Sequence, residues 1–314
     1  MKPLIKISLN GTDYTAELTP YIIGIDFTDN DGLKESEADD VSLTLGDPRD
    51  FFRDNTPARG SVIQVKFGYE DAVRNAGTFI VDTTEYDHSQ SGGTCKIKAL
   101  AKDIGKTVQE VKTVGYESTS LNKIAGEIAT RQGLKLVFEG SDISFNRQTQ
   151  HKQRDLEYIQ KLTKQYGYTC KVNNNTLVIK HLDVWLASEN TYTLTPEIIT
   201  TFHISETAAT GAQKVSTDYM DIDNKAVTTA SESTKVKKSG STDKQNVRVE
   251  NIDQAKAISK SQATINSMSE KTGNLSCVGI PSLYAGSRIA ISGYGRYDGQ
   301  YYESKVVHKL SRDG

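Results

Sequence analysis

Within its first hundred residues the chain alternates apolar and polar side chains six times. A period of two is the signature of extended backbone, whose successive side chains point to opposite faces. The runs are 4–9, 22–28, 41–45, 62–67, 78–82 and 95–99. Turn-forming residues separate them: Asn10-Gly11, Gly46-Asp47-Pro48, Gly68-Tyr69 and Ser91-Gly92-Gly93. Short, evenly spaced strands favour a barrel or sandwich, because a flat antiparallel sheet leaves its edges unpaired. Asp47-Pro48 also has the form of an N-cap and first helical position, for a short turn through Phe51 and Phe52.

From Ser120 the period changes. Leu121, Ile124, Ala125, Ile128 and Ala129 form one stripe at helical spacing, and Gly133 follows as a C-terminal stop. A strand-like run at 134–138 comes next, then a polar loop, then a second helix with Leu156, Ile159, Leu162 and Tyr166 on one face and Gly167 at its end. Two short strands, 168–172 and 176–180, flank Asn173-Asn174-Asn175, a residue type that tolerates the left-handed backbone of a tight hairpin. This stretch reads as a small α+β domain, residues 104–190.

Alternation returns at 198–204, 214–220 and 225–229. The segment 231–248 is Ser- and Lys-rich at its centre and too polar to bury itself, so a mobile loop is expected there. Asn251 with Gln254 resembles a capping box, opening a helix over about 252–271 with Ile252, Ala255, Ile258, Ile265 and Met268 on one face. Strands are then expected at 275–280, 287–292 and 301–308, with 293–299 as the hairpin between the last two.

Composition narrows the function. Lys+Arg 38 against Asp+Glu 40 gives a net charge of -2, without the basicity that counterion-release binding to nucleic acid uses. Apolar residues, with Tyr left out and Gly counted, come to about 39%, which is polar for a globular chain. No apolar run approaches a membrane span, and residues 1–10 alternate rather than forming a signal-peptide core. Cys95, Cys170 and Cys277 lie far apart, outside any disulfide or zinc spacing, and fit a reducing compartment.

Catalytic and cofactor motifs fail one by one. Gly293-Tyr294-Gly295 starts like a dinucleotide loop, but the next glycine is Gly299 and no βαβ pattern surrounds it. Asp29-Asn30-Asp31-Gly32 copies part of a calcium loop, yet setting Gly32 sixth puts Phe27 first and Ala38 twelfth, where acidic ligands are needed. His88, His151, His181, His203 and His308 show no metalloprotease spacing, and no Gly-x-Ser-x-Gly elbow occurs. No cofactor, metal or catalytic residue is therefore expected. Lys235, Lys237 and Lys238 read as a solvated cluster. Tyr294, Arg296, Tyr297, Tyr301 and Tyr302 crowd one hairpin, where aromatics serve either packing or protein contact, and they are the candidate interface.

Three segments carry a resemblance. Arg154-Asp155-Leu156 leads into Ile159, Leu162 and Gly167, which is similar to the DL-x-x-I-x-x-L-x-x-x-x-G segment of the phage late control D family and of VgrG spikes. The run Gly279-Ile280-Pro281-Ser282-Leu283-Tyr284-Ala285-Gly286-Ser287-Arg288-Ile289 looks like the family's closing motif, with Gly293-Tyr294-Gly295, Gly299-Gln300-Tyr301-Tyr302 and Val306-Val307-His308 after it. Arg59-Gly60-Ser61-Val62-Ile63-Gln64-Val65, Phe67-Gly68-Tyr69 and Gly77-Thr78-Phe79 resemble its first barrel.

What the resemblance implies is a mainly β chain with an α+β insert: two barrel-like domains, 1–103 and 191–314, flanking 104–190. It implies a non-enzymatic baseplate hub of a contractile tail, in a phage or a tail-like bacteriocin. Three copies would form a pseudo-six-fold ring between the six-fold tail tube and the three-fold central spike. Partners would be the spike, the tube protein and its initiator, and other baseplate proteins. Assembly is expected in the bacterial cytoplasm and residence in the baseplate. The family usually runs one strand beyond a segment like 308–314, and the absence of a β-helical needle points to a hub separate from its spike. The alternatives are a tail-associated cell-wall hydrolase, which needs an acidic pair or a metal or thiol site, and a receptor-binding β-module, which would cluster Trp where this chain has Trp185 alone.

Overall fold

The computed structural model describes residues 3–33, 38–70, 72–90, 92–101, 110–189, 192–206, 214–221, 226–234, 242–245, 247 and 249–311. β1 (Pro3–Leu9) turns through Asn10 and Gly11, at φ +49° and +86°, into β2 (Thr12–Asp13). Positive φ at both turn residues matches the twist of an antiparallel pair, which is why Asn-Gly is found there. A helical turn α1 (Thr15–Leu18) leads to β3 (Ile22–Asn30), β4 (Asp40–Asp47), a second turn α2 (Phe51–Asp54), β5 (Val62–Tyr69), β6 (Ala72–Ser89) and β7 (Gly92–Leu100).

All six expected strands form, but β6 is far longer than the expected run 78–82, because polar residues continue it at both ends. The Asp47 carboxylate caps α2 by accepting the Phe51 and Phe52 N–H groups, both at 2.7 Å. The helix nonetheless starts at Phe51 rather than Pro48, since Asp50 takes a left-handed conformation at φ +55°.

The first sheet has the order β2-β1-β5-β6-β7-β4-β3 and then a last strand, β21 (Lys305–Ser311). It rolls without closing: β2 and β21 end it and do not pair with each other. The roll is tight enough that Phe27 on β3 meets Phe67 on β5, with ring centroids 5.5 Å apart, although three strands separate them. Ile7, Ile25, Phe27, Leu43, Val65, Phe79 and Ile97 line its interior. Bulges between Val65 and Lys66 and between Val81 and Thr83 add the local twist that bends the long strand.

In the middle segment β8 (Lys112–Ser120) precedes α3 (Leu121–Arg131), β9 (Lys135–Glu139), β10 (Ser144–Gln153), α4 (Asp155–Gln165), β11 (Tyr168–Asn173), β12 (Thr176–His181) and α5 (Leu182–Ala187). The α3 stripe is the expected one: Leu121, Ile124, Ala125, Ile128 and Ala129 are all buried. Each of its large aliphatics contributes about 1.5–3 kcal/mol of burial. Ser120 caps this helix by accepting the Lys123 N–H.

The polar loop expected before α4 is instead the strand β10, paired antiparallel with β8. Its run SFNRQTQHKQ has few apolar residues, so only the pairing makes it a strand. β9 pairs parallel with β12, and β12 antiparallel with β11 around Asn174 and Asn175, at φ +47° and +59°.

The last third holds β13 (Tyr192–Leu194), β14 (Ile199–Glu206), β15 (Lys214–Asp221), β16 (Ala226–Ser233), β17 (Thr242–Gln245), α6 (Ile252–Met268), β18 (Lys271–Cys277), β19 (Arg288–Ile291) and β20 (Gly299–Tyr302). Among the described residues they form three small sheets, β13-β19-β20, β14-β18 and β16-β15-β17, and no closed barrel. The single strand expected at 301–308 is split at Glu303 and Ser304. β20 pairs with β19, whereas β21 crosses to β3 of the first sheet.

Part of the segment 231–248 expected as a mobile loop is strand: residues 231–233 extend β16, and β17 pairs parallel with β15. Residues 235–241, with Lys235, Lys237 and Lys238, lie outside the described residues, as do the expected domain boundaries at 103/104 and 190/191.

α6 is capped as expected, Asn251 accepting the Gln254 N–H at 2.9 Å. Its most buried face is more polar than expected: Gln254, Ala255, Ile258, Ser259, Ser261 and Ala263 are buried, while Ile265 and Met268 are half-buried. Ser259 donates to Thr217 on β15 at 2.8 Å, and Gln254 Nε2 to the Ser144 carbonyl on β10 at 2.7 Å. The helix thus ties the last third to the middle.

Candidate interface site

The five residues expected at an interface sit around the turn between β19 and β20, where Gly295–Tyr297 makes one 3-10 turn. Tyr294 packs on Phe202 of β14 with centroids 4.1 Å apart, and Tyr297 meets the same ring at 6.4 Å. Arg296 is exposed and lies over Tyr297, its guanidinium carbon 4.6 Å from the ring centroid. The Tyr301 hydroxyl donates to the Tyr297 carbonyl at 2.6 Å, and Asp298 accepts the Tyr294 N–H at 2.6 Å. Tyr294, Arg296, Tyr297 and Tyr301 therefore form one aromatic knuckle against the β14-β18 ribbon.

Tyr302 lies apart from that knuckle. Its hydroxyl donates to Asp31 Oδ2 at 3.0 Å, and burial raises its pKa far above the tyrosine range. It belongs to a polar junction that joins the three parts of the chain.

Asp29, at the end of β3, stands at the centre of that junction. Its carboxylate accepts from Lys171 Nζ of β11 at 2.6 Å, from Arg74 of β6 at 2.7 Å and from the Ala285 N–H at 3.2 Å. Lys171 also donates to the Asn30 carbonyl at 2.8 Å and stands 3.6 Å from Asp39. Asp39 in turn accepts the Asn30 N–H at 2.7 Å. Arg74 donates to the Leu283 carbonyl and lies over Phe27, 5.3 Å from its centroid. His308 of β21 lies 3.0 Å from the same carbonyl and stacks on Phe27 at 6.0 Å.

Gly32 closes the contact. It adopts φ +79°, its carbonyl accepts the Cys170 N–H at 3.1 Å, and a Cβ there would lie 2.5 Å from the Cys170 carbonyl oxygen. The segment 29–32 that copies part of a calcium loop is thus spent on internal cations and backbone. Its signal in the sequence was the acidic run itself; the partners Arg74 and Lys171 are too distant along the chain to be read from it.

The Asp-Leu motif has a physical role of the same kind. Asp155, 1% exposed, accepts from Arg131 through both oxygens at 3.0 and 3.1 Å, from Gln132 at 2.7 Å and from Gln150 at 3.0 Å. Burial opposes its ionisation, but these donors prevail and hold the carboxyl down at about 2. Tyr116 extends the node, accepting from Arg131 at 2.8 Å and donating to Gln150 at 3.2 Å. One carboxylate thereby fixes α3, β8, β10 and α4 together.

The remaining candidates are dispersed. His88 is exposed 3.5 Å from Asp50, His151 and His203 are exposed, and His181 caps α5 by accepting the Asp183 N–H at 3.1 Å. Among the described residues no three His, Cys, Asp or Glu side chains gather as a metal site. Burial pushes the Cys170 thiol up to about 12, and those of Cys95 and Cys277 also rise, which disfavours the nucleophilic thiolate. Gly293 and Gly295 shape the turn at β19-β20, and no helix of dinucleotide-binding type starts there. Among the described residues no helix is long and apolar enough to cross a membrane.

Known proteins resemble this architecture. The family model described as the Alg8 N-terminal domain matches residues 51–312. The probable baseplate hub proteins of Escherichia phages 186 and P2 are each 25% identical over 181 residues, 57% of this chain. The match spans 45% of their length, so it covers less than half of these relatives. Among solved structures, the tail protein from Neisseria meningitidis MC58 superposes with a TM-score of 0.76 at 12% identity, covering 100% of this chain and 94% of that one. An E. coli component of the type VI secretion system, described as structurally similar to bacteriophage tail proteins, gives 0.57 at 10% identity, covering 100% and 74%. The chain belongs to the Alg8 N-terminal domain family, and the relatives that share its sequence and fold are phage baseplate hub and tail proteins.

Proposed function

We propose that this chain is the structural hub of a contractile-tail baseplate and works without catalysis. The observation that carries the reading is the joint one: hub proteins among its sequence relatives and a tail-protein fold along the whole chain. Three copies form a ring of pseudo-six-fold character that adapts the six-fold tube to the three-fold spike. Such a ring needs a head-to-tail contact whose rotation closes. The Tyr294, Arg296 and Tyr297 knuckle, with Tyr301 beneath it, is the contact surface we assign: exposed arginine on tyrosine is a composition enriched at protein interfaces. Tyr302 lies apart from that surface, at the junction where it bonds Asp31.

In this reading the chain divides into the units 1–103, 104–190 and 191–314, with β21 as the strand that returns to the first. Assembly takes place in the bacterial cytoplasm, and the ring resides in the baseplate beside the spike, the tube protein and its initiator. Native mass spectrometry of the tagged chain captured gently from its producer tests this. Three copies with a trimeric spike are expected. A monomer without tail partners, or hydrolysis of purified cell wall that a single carboxylate change abolishes, overturns it.

A further inference from the structure

The three-stranded sheet of the middle segment ends at β9. The Lys135 N–H donates to the Asn175 carbonyl, just before β12, at 3.0 Å. Bonding direction alternates along a strand, so Lys135, Val137 and Glu139 turn their backbone groups to β12, and Leu136 and Phe138 turn theirs to the open side. Two N–H and two C=O groups therefore line an edge that no other strand among the described residues covers. With five residues and a charge at each end, the edge is guarded against indiscriminate pairing yet long enough to take one short strand.

α3 runs beside this edge. Its outer face forms an open groove of about 500 Å³, lined by Lys123, Gly126, Glu127, Thr130 and Arg131. Gly126 sits in the interior of an eleven-residue helix, where glycine costs stability relative to alanine. Packing does not require it: a Cβ there would meet only the Leu136 side chain of β9, at 3.9 Å, an ordinary contact. The glycine keeps open a space next to Leu136 that the described residues do not fill. On the other face of β9, Val137 is 41% exposed.

Charge narrows the occupant. Glu127 stands 3.9 Å from Arg131, Arg131 pairs with Asp155 at 3.0 Å, and Glu139 pairs with Lys180 at 3.1 Å. Among the described residues this leaves Lys123, in the first turn of α3, and Lys135, just past its last, as the unpaired charges beside the groove.

We propose that the groove between α3 and β9 is a docking site for an extended, acidic segment of another protein, which adds to β9 as a strand. Its backbone pairs with Leu136 and Phe138, an apolar side chain enters the space over Gly126, and carboxylates meet Lys123 and Lys135. Main-chain pairing supplies affinity, and the groove supplies selectivity. The site uses none of the residues assigned to the ring contact, so it stands or falls independently of the hub reading.

Two capped peptides added to the full chain test it, Glu-Val-Thr-Val-Glu and Lys-Val-Thr-Val-Lys, with amide exchange read by NMR. The acidic peptide is expected to protect the Leu136 and Phe138 amides and to bind at least about tenfold more tightly than the basic one, the factor two exposed ion pairs supply. Gly126→Leu is expected to raise the unfolding midpoint, since it replaces a helical glycine, while abolishing that protection. A gain of stability with a loss of binding separates a blocked groove from a damaged fold. The Lys123→Glu, Lys135→Glu double variant is expected to reverse the peptide preference. Absence of protection at Leu136 and Phe138 with both peptides overturns the proposal. So does equal binding of the two, full binding by Gly126→Leu, or an unchanged preference in the double variant.

Discussion

Replacing Asp155 by Asn keeps the shape of the side chain and removes its charge, so it isolates what the carboxylate does. In the folded chain the carboxyl is held at about 2 against an ordinary 3.8, with Arg131, Gln150 and Gln132 as its donors. A difference of nearly two pK units is worth about 2.5 kcal/mol of stability at neutral pH. The sign follows from the depressed value: this contribution is complete well above 3.8 and disappears as pH falls through about 2. Roughly 1 kcal/mol of it is gone by pH 3.

The Asn amide also turns N–H groups toward Arg131, so the expected destabilisation is about 2–3 kcal/mol at pH 7. Trp185 is the only tryptophan, and its indole donates to Thr169 at 3.0 Å within the same middle segment. Its fluorescence during urea unfolding therefore reports the affected part. The gap between wild type and variant should narrow as pH is lowered from 7 to 3. A gap below 1 kcal/mol at pH 7, or one that does not narrow, would refute the node as the anchor of this segment.

Other perturbations probe the remaining contacts. Gly32→Ala places a Cβ against the Cys170 backbone at positive φ, and a loss of about 2 kcal/mol or more is expected in the same urea assay. Arg74→Ala leaves the Asp29 carboxylate buried with half its charge pairing gone; the midpoint should fall by the equivalent of about 3 kcal/mol or more, and a neutral result would discredit the junction. Native chain treated with an alkylating reagent at pH 8 should keep Cys95 and Cys170 unmodified until urea unfolds it, as peptide mapping will show. Arg296→Glu should leave the unfolding midpoint within about 0.5 kcal/mol of wild type while abolishing trimers in native mass spectrometry.

What could be read from the sequence was whatever is periodic or local. The α3 stripe, the Asn10-Gly11 turn and the Asn251 cap are set by residues within a few positions of one another, and each forms as expected. β10 escaped because its strand character comes from pairing with β8 some thirty residues earlier, not from its own polar composition. β21 escaped for a related reason. The strand expected at 301–308 marks extended backbone but does not say which edge it will join, and Glu303 and Ser304 break it so that its two ends serve different sheets.

The junction was the hardest to foresee. Asp29 and Lys171 are far apart in sequence, and neither is unusual where it stands. Only the fold turns an acidic tetrapeptide that resembles a calcium loop into the acceptor for a lysine and an arginine.

That placement also bears on why so polar a chain holds together. Among the described residues its apolar core is divided into three clusters, around Phe27 and Phe79, around Ile128 and Ile159, and around Leu194 and Ile289. Between the first of these and the rest lie Asp29, Arg74, Lys171 and His308 rather than leucines. Ion pairs buried in this way add little net stability compared with apolar packing, because their desolvation offsets most of their attraction. What they impose is geometry. An apolar seam tolerates sliding, whereas a carboxylate held by a lysine from one element, an arginine from a second and a backbone N–H from a third is satisfied in one arrangement only. In the ring proposed above, a subunit that presents the same faces to each neighbour would need its parts fixed in relative position more than it needs additional stability. If that reasoning holds, Asp29→Leu paired with Arg74→Met and Lys171→Met should leave the unfolding midpoint nearly unchanged and still reduce the yield of assembled trimer. A triple variant that assembles as well as wild type would show that the seam is fixed by packing, not by charge.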